Sequence, residues 1–127
     1  MTSVNIPDGV TSIGSYTFGS CSKLTNITVP NSVTYIDYQA FAMCVKLESI
    51  IIGSGVTRID SWAFYRCTIL NNITSLATTA PTIQSNTFQD VKANGTLTVP
   101  SGSSGYDVWM DTSNYYLGKY NWTKVEQ

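Results

Sequence analysis

Apolar residues recur along this chain in short alternating groups, never in long runs. Ile27-Thr28-Val29 reads in-out-in, the period of a half-buried strand. Pro30, and Gly53 in the next such group, end it, and Asn31-Ser32 and Ser54-Gly55 turn the chain. Val33 and Ile36, like Val56 and Ile59, then return to the interior on a second side. Asp37 and Asp60 follow, each placed to cap a short helical turn through a side-chain oxygen. Phe, Cys and Leu at spacings of three fill one face of that turn, as in Phe41, Cys44 and Leu47.

This pattern repeats every 23 residues. Ile13, Ile36 and Ile59 keep the step, as do Phe18, Phe41 and Phe64, and Leu24, Leu47 and Leu70. The three cysteines, Cys21, Cys44 and Cys67, fall on it too, and so do the strand starts Val4, Ile27, Ile50 and Ile73. A fourth unit carries one extra residue, which places Ile83 and Phe88 24 positions on, with Val91 in the Cys slot. A fifth, partial unit begins at Leu97. One unit cannot bury its own apolar face, but stacked neighbours can. The expected fold is therefore an α/β repeat solenoid: a strand-dominated coil of about five rungs. Each rung has short strands and a short helical turn, and identical residues stack as ladders.

The stretch Val29-Pro30, Val33, Ile36, Ala40-Phe41, Cys44 and Leu47 resembles the BspA-like leucine-rich repeats of bacterial surface proteins, over about residues 4–99. The end of the chain is similar to members from gut anaerobes. It has Ala80-Pro81-Thr82-Ile83, then Leu97-Thr98-Val99-Pro100-Ser101-Gly102, then Tyr106 and Trp122, with Ala80 where a first Pro is usual. The resemblance implies a leucine-rich-repeat-like right-handed coil, in a secreted or surface-displayed protein with roles in adhesion, host-protein binding or bacterial co-aggregation. It brings no catalytic set and no cofactor.

Two segments are expected: a repeat array over 1–99 and a C-terminal capping segment over 100–127. The second opens with the loop Ser101-Gly102-Ser103-Ser104-Gly105. It then crowds Tyr106, Trp109, Tyr115, Tyr116, Tyr120 and Trp122 together. These rings suit a cap over the last rung, or a patch that recognises sugars or peptides. Val4-Asn5-Ile6 begins a repeat with no cap before it. That points to a C-terminal piece of a longer protein, or to a homodimer through the uncovered rung. No signal peptide is visible at Met1-Thr2-Ser3-Val4-Asn5, and no apolar run is long enough to span a membrane.

Composition narrows the function. The chain has 127 residues, 7 basic and 8 acidic, with formal net charge −1, which disfavours a nucleic-acid partner. It contains no His, so His-based triads and the commonest metal ligand are excluded. Ser and Thr number 15 and 17, a hydroxyl-rich surface that favours strands and turns. Three cysteines are too few for a structural zinc site. They read as small buried hydrophobes, with a disulfide between neighbouring rungs left open. Asp37 and Asp60 occupy equivalent slots, so acid/base work or calcium binding stands beside simple capping. A glycosidase would need two carboxylates across a cleft, and a short solenoid offers little cleft. The sequons at Asn26, Asn72, Asn94 and Asn121 would matter only in a eukaryotic secretory pathway.

Variable columns are the candidates for contact. Tyr16, Gln39, Trp62 and Asn86 share one slot; Gly19, Ala42, Tyr65 and Gln89 share another. Both are expected to face solvent. Trp62, Tyr65 and Arg66 form the most interface-like cluster, with Tyr35 and Arg58 in a further variable column. The outward strand column is Asn5, Thr28, Ile51, Thr74 and Thr98. The expected function is a non-enzymatic protein-binding module at a cell surface or outside the cell. Its partner would be a host matrix or bacterial surface protein, with a glycan as the other candidate. The alternative is a spacer and cap of a longer array with no ligand of its own.

Overall fold

The computed structural model describes residues 3–127. The side chains of Ser3 and Asn5 are not described, so the expected outward placement of Asn5 lies outside the described residues. The chain winds as a β-solenoid whose rungs stack by parallel pairing. One sheet runs along its length: β1 (Ser3–Asn5), β3 (Asn26–Val29), β5 (Ser49–Ile52), β7 (Asn72–Ser75), β8 (Thr96–Val99) and β9 (Thr123–Glu126), adjacent in that order. A second sheet holds β2 (Ser12–Ile13), β4 (Tyr35–Ile36) and β6 (Arg58–Ile59).

Register follows the period. Val4 pairs with Ile27, Ile27 with Ile50, Ile50 with Ile73 and Ile73 with Leu97. Because period-2 side chains at one register share a face, these residues form one inward column, buried from Ile27 to Leu97 and half-buried at Val4. The opposite face carries Thr28, Ile51, Thr74 and Thr98, and the structure adds Val125 to it. Leu24, Leu47 and Leu70 have no exposure at all. Among the described residues the fourth rung pairs with the second sheet through an isolated bridge, Arg58 to Thr82.

The third side is where expectation and structure differ. Among the described residues there is no α-helix, and the only helical element is a 3₁₀ turn at Leu117–Tyr120. The segment around Phe41 is a chain of turns whose amides divide their labour. Ala40, Ala42 and Cys44 donate three residues back, to the carbonyls of Asp37, Gln39 and Phe41. Gln39, Phe41 and Met43 donate instead to Ser61, Ala63 and Tyr65 of the next rung. A helix would use every amide within its own segment and leave none for stacking. Backbone hydrogen bonding between rungs therefore reaches the turn side as well. Two slots take left-handed backbone in the first three rungs: Tyr16, Gln39 and Trp62 (φ 61°, 54° and 57°), and Ser20, Met43 and Arg66 (φ 58°, 60° and 57°). In the fourth rung Asp90 (φ 64°) keeps the second slot and Asn86 does not keep the first.

Inside, the phenylalanine ladder is a true stack. Ring centroids are 5.2 Å apart for Phe18–Phe41, 5.3 Å for Phe41–Phe64 and 5.5 Å for Phe64–Phe88, with interplanar angles of 10° or less. Trp109 then lies against Phe88 at 5.4 Å, tilted by 51°. Its indole N–H donates to the Pro81 carbonyl. Trp122 sits on Gly95, where any side chain would collide with the indole. In β9, Lys124 and Glu126 pair with Leu97 and Val99, so charges occupy the two columns that are apolar in the strand before.

Candidate functional site

The turn side carries a line of aromatic rings. Tyr16 meets Tyr38 edge-on at 5.7 Å, Tyr38 lies 5.9 Å from Trp62 at 46°, and Trp62 lies 5.6 Å from Tyr65 at 40°. The Arg66 guanidinium stands 5.3 Å over the Tyr65 ring and 3.8 Å from Asp90. Trp62 donates its indole N–H to Gln89 at 2.9 Å. Trp62, Tyr65 and Arg66 are thus brought together as the sequence suggests.

Those two columns, expected to face solvent, are covered more than a free surface would be. Only Tyr16 is freely exposed, at 58%. Gly19, Gln39, Trp62, Tyr65, Asn86 and Gln89 are half-buried, and Ala42 is buried. Rungs stacked at strand spacing are closer than an aromatic side chain is wide, so each ring leans on its neighbours. Tyr38, which bridges Tyr16 and Trp62, is not among the expected contact residues. Its signal is present in the sequence: its slot holds Ser in the other rungs, at Ser15, Ser61 and Ser85.

Tyr35 and Arg58 form a separate cluster with both carboxylates. The Tyr35 hydroxyl lies 2.6 Å from Asp60 Oδ2 and 3.1 Å from Asp37 Oδ1. With one proton it donates to one carboxylate at a time. Arg58 stands 5.7 Å over the Tyr35 ring and 3.8 Å from Asp60. The Tyr35 hydrogen bond holds Asp60 below the usual carboxylate range, helped by the Ser61 amide and by Arg58. The same bond, with burial and the second carboxylate, pushes the phenol up to about 12. The capping expected of the two aspartates takes a different form. Asp37 Oδ1 accepts from the Tyr38 amide and Asp60 Oδ1 from the Ser61 amide, each at 2.7 Å and each one residue on. With no helical turn, there are no later orphan amides to reach.

No three His, Cys, Asp or Glu side chains among the described residues come together as a metal site. The cysteines are free thiols. The Cys44 and Cys67 thiols lie 3.0 Å and 3.2 Å from the carbonyl oxygens of Phe18 and Phe41 in the rung before, and donate to them. Burial pushes the Cys44 thiol up to about 12 and the Cys67 thiol well above its ordinary value. Both are thereby kept as unreactive thiols. At the β1 end, Val4, Ile6, Val10, Ile13 and Phe18 line a shallow apolar hollow. Among the described residues no helix is long and apolar enough to cross a membrane.

The comparisons with known proteins agree with this geometry. The family description "BspA type Leucine rich repeat region" matches residues 1–109 in 6 copies, running past Val99 to Trp109. No curated protein and no solved structure matches the chain. Repeats of this kind suggest a protein-interaction scaffold; they are typically non-enzymatic and generally surface-associated in bacteria. With a 23-residue step, stacked Phe and Leu ladders and a match over most of its length, the chain belongs to the BspA-type leucine-rich-repeat family.

Proposed function

We propose that this chain is a non-enzymatic adhesion module that binds a protein partner outside the cell or at a bacterial surface. In this reading Trp62, Tyr65 and Arg66 make the main contact, with Tyr35 and Arg58 as a neighbouring patch. The supporting observation is the line of half-exposed rings from Tyr16 to Tyr65. Tyr, Trp and Arg dominate binding energy at protein interfaces. Here they sit on a hydrogen-bonded scaffold that loses little freedom on binding. The test is immobilised chain against host matrix proteins, mucin glycans and bacterial surface proteins, beside a Trp62→Ala/Tyr65→Ala variant. Saturable protein binding lost in the variant supports the reading, and binding that survives moves the contact elsewhere.

A second reading is a spacer whose residues 100–127 close the array. It is favoured by Trp109 against Phe88 and by the charges Lys124 and Glu126 in the apolar columns. Absence of any saturable binding supports it.

A further inference from the structure

Tyr16 and Trp62 occupy the same slot two rungs apart, and both stand in left-handed backbone, with φ 61° and 57°. Gly or Asn fits such backbone with less strain than a bulky ring. The Tyr16 ring is 58% exposed, so packing does little to offset that strain. The rungs are hydrogen-bonded directly on this side, Tyr16 to Tyr38 and Gln39 to Ser61. At a strand spacing of about 4.8 Å, the two positions are about 9.6 Å apart along the stack. Three residues of polyproline II helix rise about 9.3 Å. Two residues of β-strand rise only about 6.7 Å and two α-helical turns about 10.8 Å, so three polyproline II residues match the span most closely. Tyr38 lies between the two, edge-on to Tyr16 at 5.7 Å and tilted by 46° to Trp62 at 5.9 Å, so the three rings form one continuous ridge. Asp37 belongs to the neighbouring Tyr35 cluster but immediately precedes Tyr38. It is half-buried, its Oδ1 accepts from the Tyr38 amide and the Tyr35 hydroxyl, and it has no ion-pair partner among the described residues. Asp60, by contrast, faces Arg58 at 3.8 Å.

We propose that the Tyr16–Tyr38–Trp62 ridge binds a proline-rich segment in the polyproline II conformation, lying along the stack, with a basic residue of the segment against Asp37. Proline rings three residues apart fall on Tyr16 and Trp62. Such a segment is already extended and ordered, and aromatic-lined surfaces recognise it on that account. The inference rests on the reading that this face binds protein, and names the kind of segment it takes.

The test is calorimetric titration of the whole chain with a peptide of nine prolines and an N-terminal arginine. A glycine-serine peptide of equal length with the same arginine is the control. Saturable 1:1 binding of the proline peptide alone is expected. Affinity should fall about tenfold or more in Tyr16→Asn and in Trp62→Asn. Tyr16→Asn suits the left-handed backbone, so its melting temperature should hold or rise while binding falls. Replacing the peptide's arginine by glutamate should weaken binding in the parent but not in Asp37→Asn. Equal binding of the control peptide, or unchanged affinity in both Asn variants, overturns the inference. If the proline peptide fails while a protein partner still needs Trp62, the inference falls and the adhesion reading stands. If neither binds, both fall.

Discussion

The Ser75 and Tyr106 hydroxyls lie 2.7 Å apart in the interior, both essentially without exposure. Tyr106 donates in turn to the Ala77 carbonyl, also at 2.7 Å, so Ser75 is left to donate to the Tyr106 oxygen. Ser75 stands in the buried column of Val29 and Ile52, where a polar atom needs a partner. Tyr106 supplies it from the C-terminal segment. Tyr106→Phe leaves two buried polar groups unsatisfied and should cost about 1–3 kcal/mol. Adding Ser75→Val should recover much of that loss, because both hydroxyls are then gone. Urea unfolding of the two single variants and the double variant checks the cycle.

Phe41 lies between Phe18 and Phe64 and is fully buried. Phe41→Ala removes one plane from the ring stack and should cost about 3–5 kcal/mol. The stack shares its rings along the array, so the loss should appear as one lowered cooperative transition. An unchanged melting temperature would overturn the stacking account.

The rungs are legible in the sequence because stacking puts like residues on like: Ile36 on Ile59, Leu47 on Leu70. The turn side is less legible. Its spacing of three among Phe41, Cys44 and Leu47 suits a helical turn as well as consecutive hydrogen-bonded turns. The deciding amides, such as Phe41 to Ala63, carry no side-chain signature. Trp62, Tyr65 and Arg66 can be picked out as a cluster from residue type. Tyr38 cannot be joined to them without knowing that its ring reaches both Tyr16 and Trp62. The Ser75–Tyr106 bond spans 31 residues and falls on no period at all.

Met43 is 42% exposed and stands at φ 60°. Left-handed backbone disfavours a non-glycine residue by about 1–2 kcal/mol, less so for Asn. Met43→Asn should therefore raise stability, by about 1 kcal/mol at most. A higher urea midpoint with unchanged slope is the expected result.

Tyr35 makes stability depend on pH at both extremes. Asp60 is held below its ordinary value, so its contribution is present above the unfolded carboxylate pKa and is lost as pH falls through the lower, folded value. Tyr35 is raised from 10.0 to about 12. Its contribution is present below pH 10.0 and is lost as pH rises toward about 12. Tyr35→Phe removes the donor and the titrating phenol together. Melting temperatures across pH should then show a flatter fall at both the acid and alkaline ends. A variant profile parallel to the parent's would overturn the assignment.

Lys124 and Glu126 continue the register of Leu97 and Val99 but reverse the chemistry of their columns. In earlier strands those columns hold Ile27, Ile50 and Ile73, and Val29 and Ile52, all buried. A further rung laid on β9 would have to bury a lysine and a glutamate, and inward charges are a recognised means of guarding a sheet edge. Lys124 is held near Asp107 at 3.9 Å, an exposed contact that adds little stability. Its value lies in keeping apolar surface off the end of the sheet. Lys124→Leu/Glu126→Val extends both apolar columns to that end while leaving the backbone edge open. The double variant should keep its fold and self-associate with rising concentration, as read by light scattering. The parent should scatter as one fixed species over the same range. Equal behaviour of the two proteins would show that the charges do not guard this edge.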